Sequence, residues 1–500
     1  MSPFLLFSFV IGYFFLLLAV AYRTSRNSNN ESFFIGNRNS NWMLVAFGMI
    51  GTSLSGVTFV SVPGTVGDFS GDSFKAFAYF QVVIGYWIGY FIVAFILLPL
   101  YYRLQLTSIY NYLQTRFGHV AYRTGALFFI ISRTVGATAR LYLVINVLQV
   151  FILDEIGVPF GITALVILLM IILYTFEGGV KTIVYTDTLQ TTFMLLGLIV
   201  CILYIIPQLG GSQILHSMDQ KGYTSLFNTD WQSKGFFLKQ IVGGMFITIA
   251  MTGLDQEMMQ KNISVRNLRD SQKNMILFSG TMVLVNLLFL FLGGLLYLFA
   301  LNQGAQYSHH QLLLNGKNVI GDDLFPTIAL QFLPRAIGVI FIIGLISALF
   351  PSADGALTAL TSSFCIDLLD LKKMDRSEQQ KKRIRMTVHI CFAIVFLICI
   401  LLFKWINNKS IINVILDLAG YTYGPLLGLF AFGIFTRRNL PQTGVITLVC
   451  LLAPLLCYFI SKNAAQWFNG FQIGIELLLL NGLLTFVGLA ILSKKQTVTN

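Results

Sequence analysis

Apolar residues recur along the chain in runs of about 20, long enough to cross roughly 30 Å of hydrocarbon as helices. Thirteen such runs stand near 3–22, 42–66, 74–102, 122–152, 159–176, 181–208, 235–254, 274–302, 335–369, 386–405, 411–435, 441–461 and 468–493. Short polar stretches separate them, and "SKKQTVTN" follows the last. The pattern predicts an all-α polytopic membrane protein of about 13 transmembrane helices, a single membrane domain over 1–500 with no soluble domain. The first run, "PFLLFSFVIGYFFLLLAVAY", has no basic residues before it and reads as a span rather than a cleaved leader.

Four of these runs contain helix breakers. Backbone that leaves the helix inside hydrocarbon survives only where protein covers it or a cavity hydrates it. The second run reads "FGMIGTSLSGVTFVSVPGTVG", with Gly51, Gly56, Pro63 and Gly64. The seventh contains "IVGGMFITIAMTGLDQ", the ninth "FPSADGALTALTSSF" and the eleventh "LAGYTYGPLLG". With the first run peripheral (1–40), the second and seventh open two successive five-helix units, 41–208 and 209–440, and 441–500 adds two helices. An odd number of helices per unit inverts one unit against the other, so the spacing of the breaks points to an inverted-repeat transporter.

The composition agrees: 56% of residues are hydrophobic, 11% are charged and 45 are Phe, which excludes an ordinary soluble enzyme. The net charge of +12 is accounted for by topology rather than by a nucleic-acid partner. Alternate connections carry most of the 33 Lys and Arg: Arg23, Arg26 and Arg38; Arg103, Arg116 and Arg123; Lys181; Lys261, Arg266, Arg269 and Lys273; seven between 372 and 385; Arg437 and Arg438; Lys494 and Lys495. Basic residues stay cytoplasmic, which puts the N-terminus outside and the C-terminus inside. The six cysteines lie in apolar runs with no CxxC spacing and read as core residues. No histidine sits mid-span beside a carboxylate and a hydroxyl, so neither a hydrolytic triad nor a metal centre is indicated.

A charge at the bilayer centre costs about 2.5–3.5 kcal/mol, so Arg133, Arg140, Asp354 and Asp417 need a pathway or a partner, and Asp187 lies about two turns into the sixth run from its cytoplasmic end. Around Asp354 one helix carries Ser352, Thr358, Thr361, Ser362 and Ser363, with carbonyls loosened by Pro351. These hard oxygen donors suit a partly dehydrated sodium ion. The alternative is hydroxyl back-bonding to the helix with an Asp–Arg structural pair.

Several motifs carry a resemblance: "ESFFIGNRNSNWMLVAFGMIGTSLSGVTFVSVPG", "YTDTLQ", "DQEMMQKNISVRNLRDSQK" and "YGPLLGLFAFGIFTRR", in this order. Over residues 1–460 the chain resembles the sodium:solute symporter family, which includes sodium–glucose, iodide, proline and sialic acid transporters. The resemblance implies a LeuT-type five-plus-five inverted repeat and Na+ as coupling ion, one or two per cycle. It implies a sodium site at Gly51, Leu54, Ala348, Pro351 and Ser352, where Pro351 departs from the family by lacking a hydroxyl. A second cation site is implied at Asp187, Asp354 and Gly355, for sodium or a proton. For substrate it implies Ser53, Ser55, Thr58, Gln81 and Arg133; Arg140 and Asp417 are further candidates, Asp417 either binding substrate or neutralising Arg133 or Arg140.

The expectation is sodium-coupled import of a small polar solute by alternating access. A carboxylate-bearing solute such as a sugar acid or other organic anion stands first, and a neutral sugar or amino acid, or proton coupling, stands as the alternative. A sensor would need a signalling domain and a membrane enzyme a catalytic cluster, and neither is evident. The expected partners are solute, sodium and membrane lipid, with no nucleic acid, for a monomer or weak homo-oligomer in the bacterial inner membrane.

Overall fold

The structure, a computed structural model, describes residues 3–25, 30–69, 75–176, 179–308, 311–406 and 411–494. Arg26, His309, His310 and Lys495 lie outside the described residues. The helices that build the bundle are α1 Pro3–Ser25, α2 Trp42–Thr65, α3 Tyr79–Arg103, α4 His119–Ile156, α5 Phe160–Thr175, α6 Gly179–Gln208, α7 Phe237–Gly253, α8 Gln256–Ile263 and α9 Leu268–Asn302. They continue with α10 Arg335–Leu368, α11 Glu378–Ile406, α12 Ile412–Thr422, α13 Gly424–Phe435, α14 Val445–Trp467 and α15 Leu477–Leu492. Among the described residues 9 helices are long and apolar enough to cross a membrane, or up to 11 if each bent pair is one span. Helices α5 and α15 are shorter apolar helices. Every apolar run read from the sequence holds one of these helices or pairs.

Burial sorts the helices into centre and rim. In α2 and α10, 78% of the most apolar stretch is buried, against 28% in α1 and α11 and 22% in α14. The centre is formed by α2 packed on α6, α9 and α10, and by α6 on α10. The rim helices turn Phe15, Leu402, Trp405 and Phe459 outward, as lipid contact requires.

Three of the expected breaks appear, and at two of them side chains serve the freed backbone groups. In α2 the break is at Ser55, whose φ of 29° and ψ of 172° leave the helical region. The next residue, Gly56, lies so close to α4 that a Cβ there would overlap Val144. Helices α7 and α8 meet at 63°. The Gly253 and Leu254 carbonyls at that bend accept from the hydroxyls of Tyr101 (2.7 Å) and Tyr110 (2.9 Å). Asp255 then caps α8, its Oδ1 accepting from the Glu257 and Met258 N–H groups at 2.9 and 3.3 Å. Helices α12 and α13 meet at 45° around Tyr423. Pro425 has no N–H for the Tyr421 carbonyl four residues back. Asn481 Nδ2, on α15, donates to that carbonyl at 2.9 Å and to Gly420 O at 3.0 Å.

The fourth expectation is corrected. Helix α10 runs through Pro351 without a non-helical residue from Arg335 to Ser363. A proline removes one N–H, and here α2 and α6 pack against the helix and hold it in line. Outside the helices, a small antiparallel sheet, β1 Gln306–Ser308, β2 Gln311–Leu314 and β3 Lys317–Asn318, follows α9 with Gln306 opposite Leu313 and Leu313 opposite Asn318. The segment after it closes on α2, where the Tyr297 hydroxyl donates to Gly64 O and accepts from the Gly321 N–H.

Candidate functional site

The break in α2 opens onto a cavity of about 100 Å³ at the centre of the helices. Ser53, Ser55 and Thr58 line it at the break, Tyr79, Tyr86 and Tyr90 from α3, and Arg133 and Arg140 from α4. Thr248 and Thr252 from α7 and Asn286 from α9 add polar groups, while Met251, Met258, Met282, Ile412, Ile415 and Leu416 form the apolar wall. A few convergent polar groups in an apolar hollow fit a small polar solute.

The two α4 arginines differ. Arg133 is 3% exposed and its Nη2 donates to Glu257 Oε2 in a close ion pair, with Nη1 3.9 Å from Asp255 Oδ2. Asp255 Oδ2 also accepts from Tyr423 Oη at 2.8 Å. Arg133 is therefore committed to two carboxylates, although one edge of it reaches the cavity. Arg140, two turns along α4, lines the same cavity, partly buried, and forms no hydrogen bond or ion pair among the described residues. Of the other residues singled out for solute binding, Gln81 turns its amide onto Ala78 O at 2.9 Å and is not in the cavity wall. Asp417 is exposed, on the side of α12 away from Ile412, Ile415 and Leu416.

A second polar region lies where α2, α6, α8 and α10 meet. Lys261 Nζ donates to Asp187 Oδ2 and to Thr52 Oγ1, each at 2.6 Å, and Thr52 Oγ1 donates to the same carboxylate oxygen at 3.1 Å. An ammonium thus ties together helices α2, α6 and α8. Asp354 Oδ2 accepts from the Tyr174 hydroxyl at 2.8 Å, and its Oδ1 from the adjacent Gly355 N–H. Asp187, Asp255 and Asp354 are 0% exposed, Glu257 2% and Lys261 3%. The buried set holds four carboxylates, Asp187, Asp255, Glu257 and Asp354, against two cations, Arg133 and Lys261. Such an excess is costly unless further positive charge joins it.

Of the residues implied for a sodium site, Gly51 and Pro351 lie side by side, and the others are buried. Gly51 N–H donates to Thr191 Oγ1 of α6 at 3.1 Å, and a Cβ on Gly51 would stand 3.6 Å from Pro351 Cγ. Leu54 and Ala348 are 0% exposed and Ser352 1%. Ser352 Oγ donates to Leu349 O at 2.9 Å. Ser347, on the preceding turn, is 0% exposed. Among the described residues no group of three or more His, Cys, Asp or Glu side chains is placed to hold a metal ion.

Reading the sequence missed Asp255, Glu257, Lys261 and Tyr174. Lys261 counted there as a cytoplasmic loop charge, because "DQEMMQKN" is polar; the structure corrects this, folding it into α8 inside the protein. The i, i+4 spacing of Glu257 and Lys261 was the available signal.

A broken-helix bundle with a central polar cavity and an adjoining buried ionic group defines a secondary transporter. The chain belongs to the sodium:solute symporter family, which residues 33–447 match. It is a sodium-coupled membrane transporter, not an enzyme. The sodium/sialic acid symporter NanT of Aliivibrio fischeri is 23% identical over 481 residues, 94% of this chain and 90% of that protein. The sodium-coupled monocarboxylate transporter 1 of Mus musculus is 25% identical over 440 residues, 86% of this chain and 67% of that protein. A solved structure of a Na+-coupled sialic acid symporter, substrate-bound and outward-open, superposes with a TM-score of 0.81 at 19% identity, covering 98% of this chain and 99% of that one. The fold is thus of the LeuT type.

Proposed function

We propose that the protein imports a small carboxylate-bearing solute with sodium, and that Arg140 holds the carboxylate. The observation carrying this reading is the guanidinium of Arg140, which faces the central cavity with no partner among the described residues. A guanidinium takes a carboxylate through two parallel hydrogen bonds, and an anion would supply the neutralisation that Arg133 already obtains from Glu257. The relatives named for sialic acid and monocarboxylates handle carboxylates too. Ser53, Ser55 and Thr58 would orient the rest of the solute.

Gly51, Leu54, Ala348 and Ser352 would hold a sodium ion between α2 and α10, with Pro351 contributing packing. At the second position Lys261 already serves Asp187, which leaves Asp354 for an additional cation. The four-to-two excess of buried carboxylates supports one or two monovalent cations per cycle. Sodium binding to both helices would favour the solute-binding arrangement, and the coupling is reciprocal. Each charge moved inward gains about 2.3 kcal/mol per 100 mV. The repeats are 41–208 and 209–440, supported by a bend at the start of each. The N-terminus is outside, the protein works in lipid as a monomer or weak homo-oligomer, and the location is a bacterial plasma membrane, supported by the Aliivibrio relative.

Uptake into proteoliposomes under an inward sodium gradient, with sugar acids, short monocarboxylates, neutral sugars and amino acids as competitors, tests this reading. A carboxylate should compete in sodium and its amide should not. Equal competition by a neutral sugar would assign the cavity to neutral solutes, and uptake indifferent to sodium would remove the coupling.

A further inference from the structure

Three buried oxygen atoms at the α8–α10 interface have no hydrogen-bond partner among the described residues: Glu257 Oε1, Gln260 Oε1 and Thr358 Oγ1. Their residues are 2%, 1% and 1% exposed, so bulk water does not serve them. Buried polar atoms left unpaired are rare in native proteins, and three on one interface call for a partner, water or ion.

Contacts on either side locate them together. Glu257 lies against Gly355, where a Cβ would overlap Oε1 and stand 2.8 Å from Cδ. Gln260 Nε2 donates to Ser362 Oγ at 3.2 Å. Gly355, Thr358 and Ser362 follow at i, i+3 and i+7 along one face of α10, so Thr358 stands between the two contacts. Glu257 and Gln260 are likewise three apart on α8 and share its face toward α10. The cations nearby are otherwise engaged. Arg133 takes the other oxygen of Glu257, and Lys261 Nζ, bonded to Asp187, is 3.9 Å from Oε1.

We propose that Glu257 Oε1, Gln260 Oε1 and Thr358 Oγ1 form a sodium seat between α8 and α10, resting on the reading of the protein as sodium-coupled. A carboxylate, an amide carbonyl and a hydroxyl are hard neutral-to-anionic donors that favour an alkali cation over a softer metal. Water completes the coordination shell. The ion supplies positive charge where carboxylates outnumber cations, and it binds the broken α7–α8 pair to α10.

Equilibrium binding of 22Na+ to the purified full-length protein in detergent tests the seat, comparing wild type with Thr358→Val, Gln260→Met and Thr358→Ser. The first two variants should bind one sodium fewer per protein, or need about tenfold more sodium for half-saturation. Thr358→Ser, which keeps the oxygen, should bind as wild type does. If both Thr358→Val and Gln260→Met keep helical circular dichroism and bind sodium as wild type does, water alone serves these atoms and the proposal is overturned. If the wild type itself binds no 22Na+, the sodium-coupled reading falls and the seat with it. Should one variant fail to fold, the other decides alone.

Discussion

Tyr423 Oη donates to Asp255 Oδ2 over 2.8 Å, joining the bend between α12 and α13 to the bend between α7 and α8. The carboxylate that accepts it also caps α8 and stands 3.9 Å from Arg133. Two broken helices and the arginine helix α4 are therefore tied at one side chain, beside the solute cavity.

Because Arg140 faces the cavity without a partner among the described residues, Arg140→Ala should raise the half-saturating solute concentration about 10–100-fold, the cost of a charge-assisted hydrogen bond. Arg140→Lys should restore part of it, since an ammonium keeps the charge and loses the planar fork. Uptake kinetics in proteoliposomes check this; an unchanged value in Arg140→Ala would remove the residue from solute binding.

Arg133 predicts the opposite kind of effect. Arg133→Leu leaves Glu257 and Asp255 buried without their guanidinium and should destabilise the fold by about 3–5 kcal/mol. Arg140→Leu removes an unpaired charge and should leave the thermal midpoint nearly unchanged. Melting both variants in detergent distinguishes them, and equal midpoints would contradict the pairing described here.

Lys261→Met strips Asp187 of its ammonium. The variant should melt well below wild type in choline and recover more than wild type does when sodium replaces choline, because a free cation can then reach the carboxylate. A sodium-dependent shift no larger than that of wild type would show that Asp187 does not accept a free cation.

At the α2 break, Gly56→Ala places a methyl on Val144. Transport should be largely lost through separation of α2 from α4, and regained in the double variant Gly56→Ala/Val144→Ala. Failure of the second substitution to rescue would mean that the backbone around Ser55, rather than the clash, is what matters.

Asn481→Leu leaves the Gly420 and Tyr421 carbonyls without donors. About 1–3 kcal/mol of stability should be lost for each buried group left unsatisfied, seen as a lower thermal midpoint. A midpoint equal to wild type would mean that other donors serve these carbonyls.

Much of the fold was legible from the apolar runs, since each contains a helix or a bent pair. Gly56 and the Gly424–Pro425 corner correctly marked two of the bends. Pro351 misled because a lone proline removes a single N–H, and packing on both sides decides whether a helix bends. The site was less legible. Arg133 and Arg140 are indistinguishable in sequence, for the partner that separates them, Glu257, is 124 residues away. Lys261 and Glu257 were hidden because hydropathy averages an eight-residue polar helix into the neighbouring loop, and only the 63° bend carries it inside.

Asn481 reaches back 61 and 60 residues to serve the carbonyls at the α12–α13 bend. During synthesis those carbonyls emerge well before their donor does. The corner that carries Tyr423, and through it Asp255, therefore reaches its final form only after the helix bearing Asn481 has been made and inserted. Nascent chains halted before that helix should accordingly assemble the outer helices yet leave this junction open to quality-control proteases.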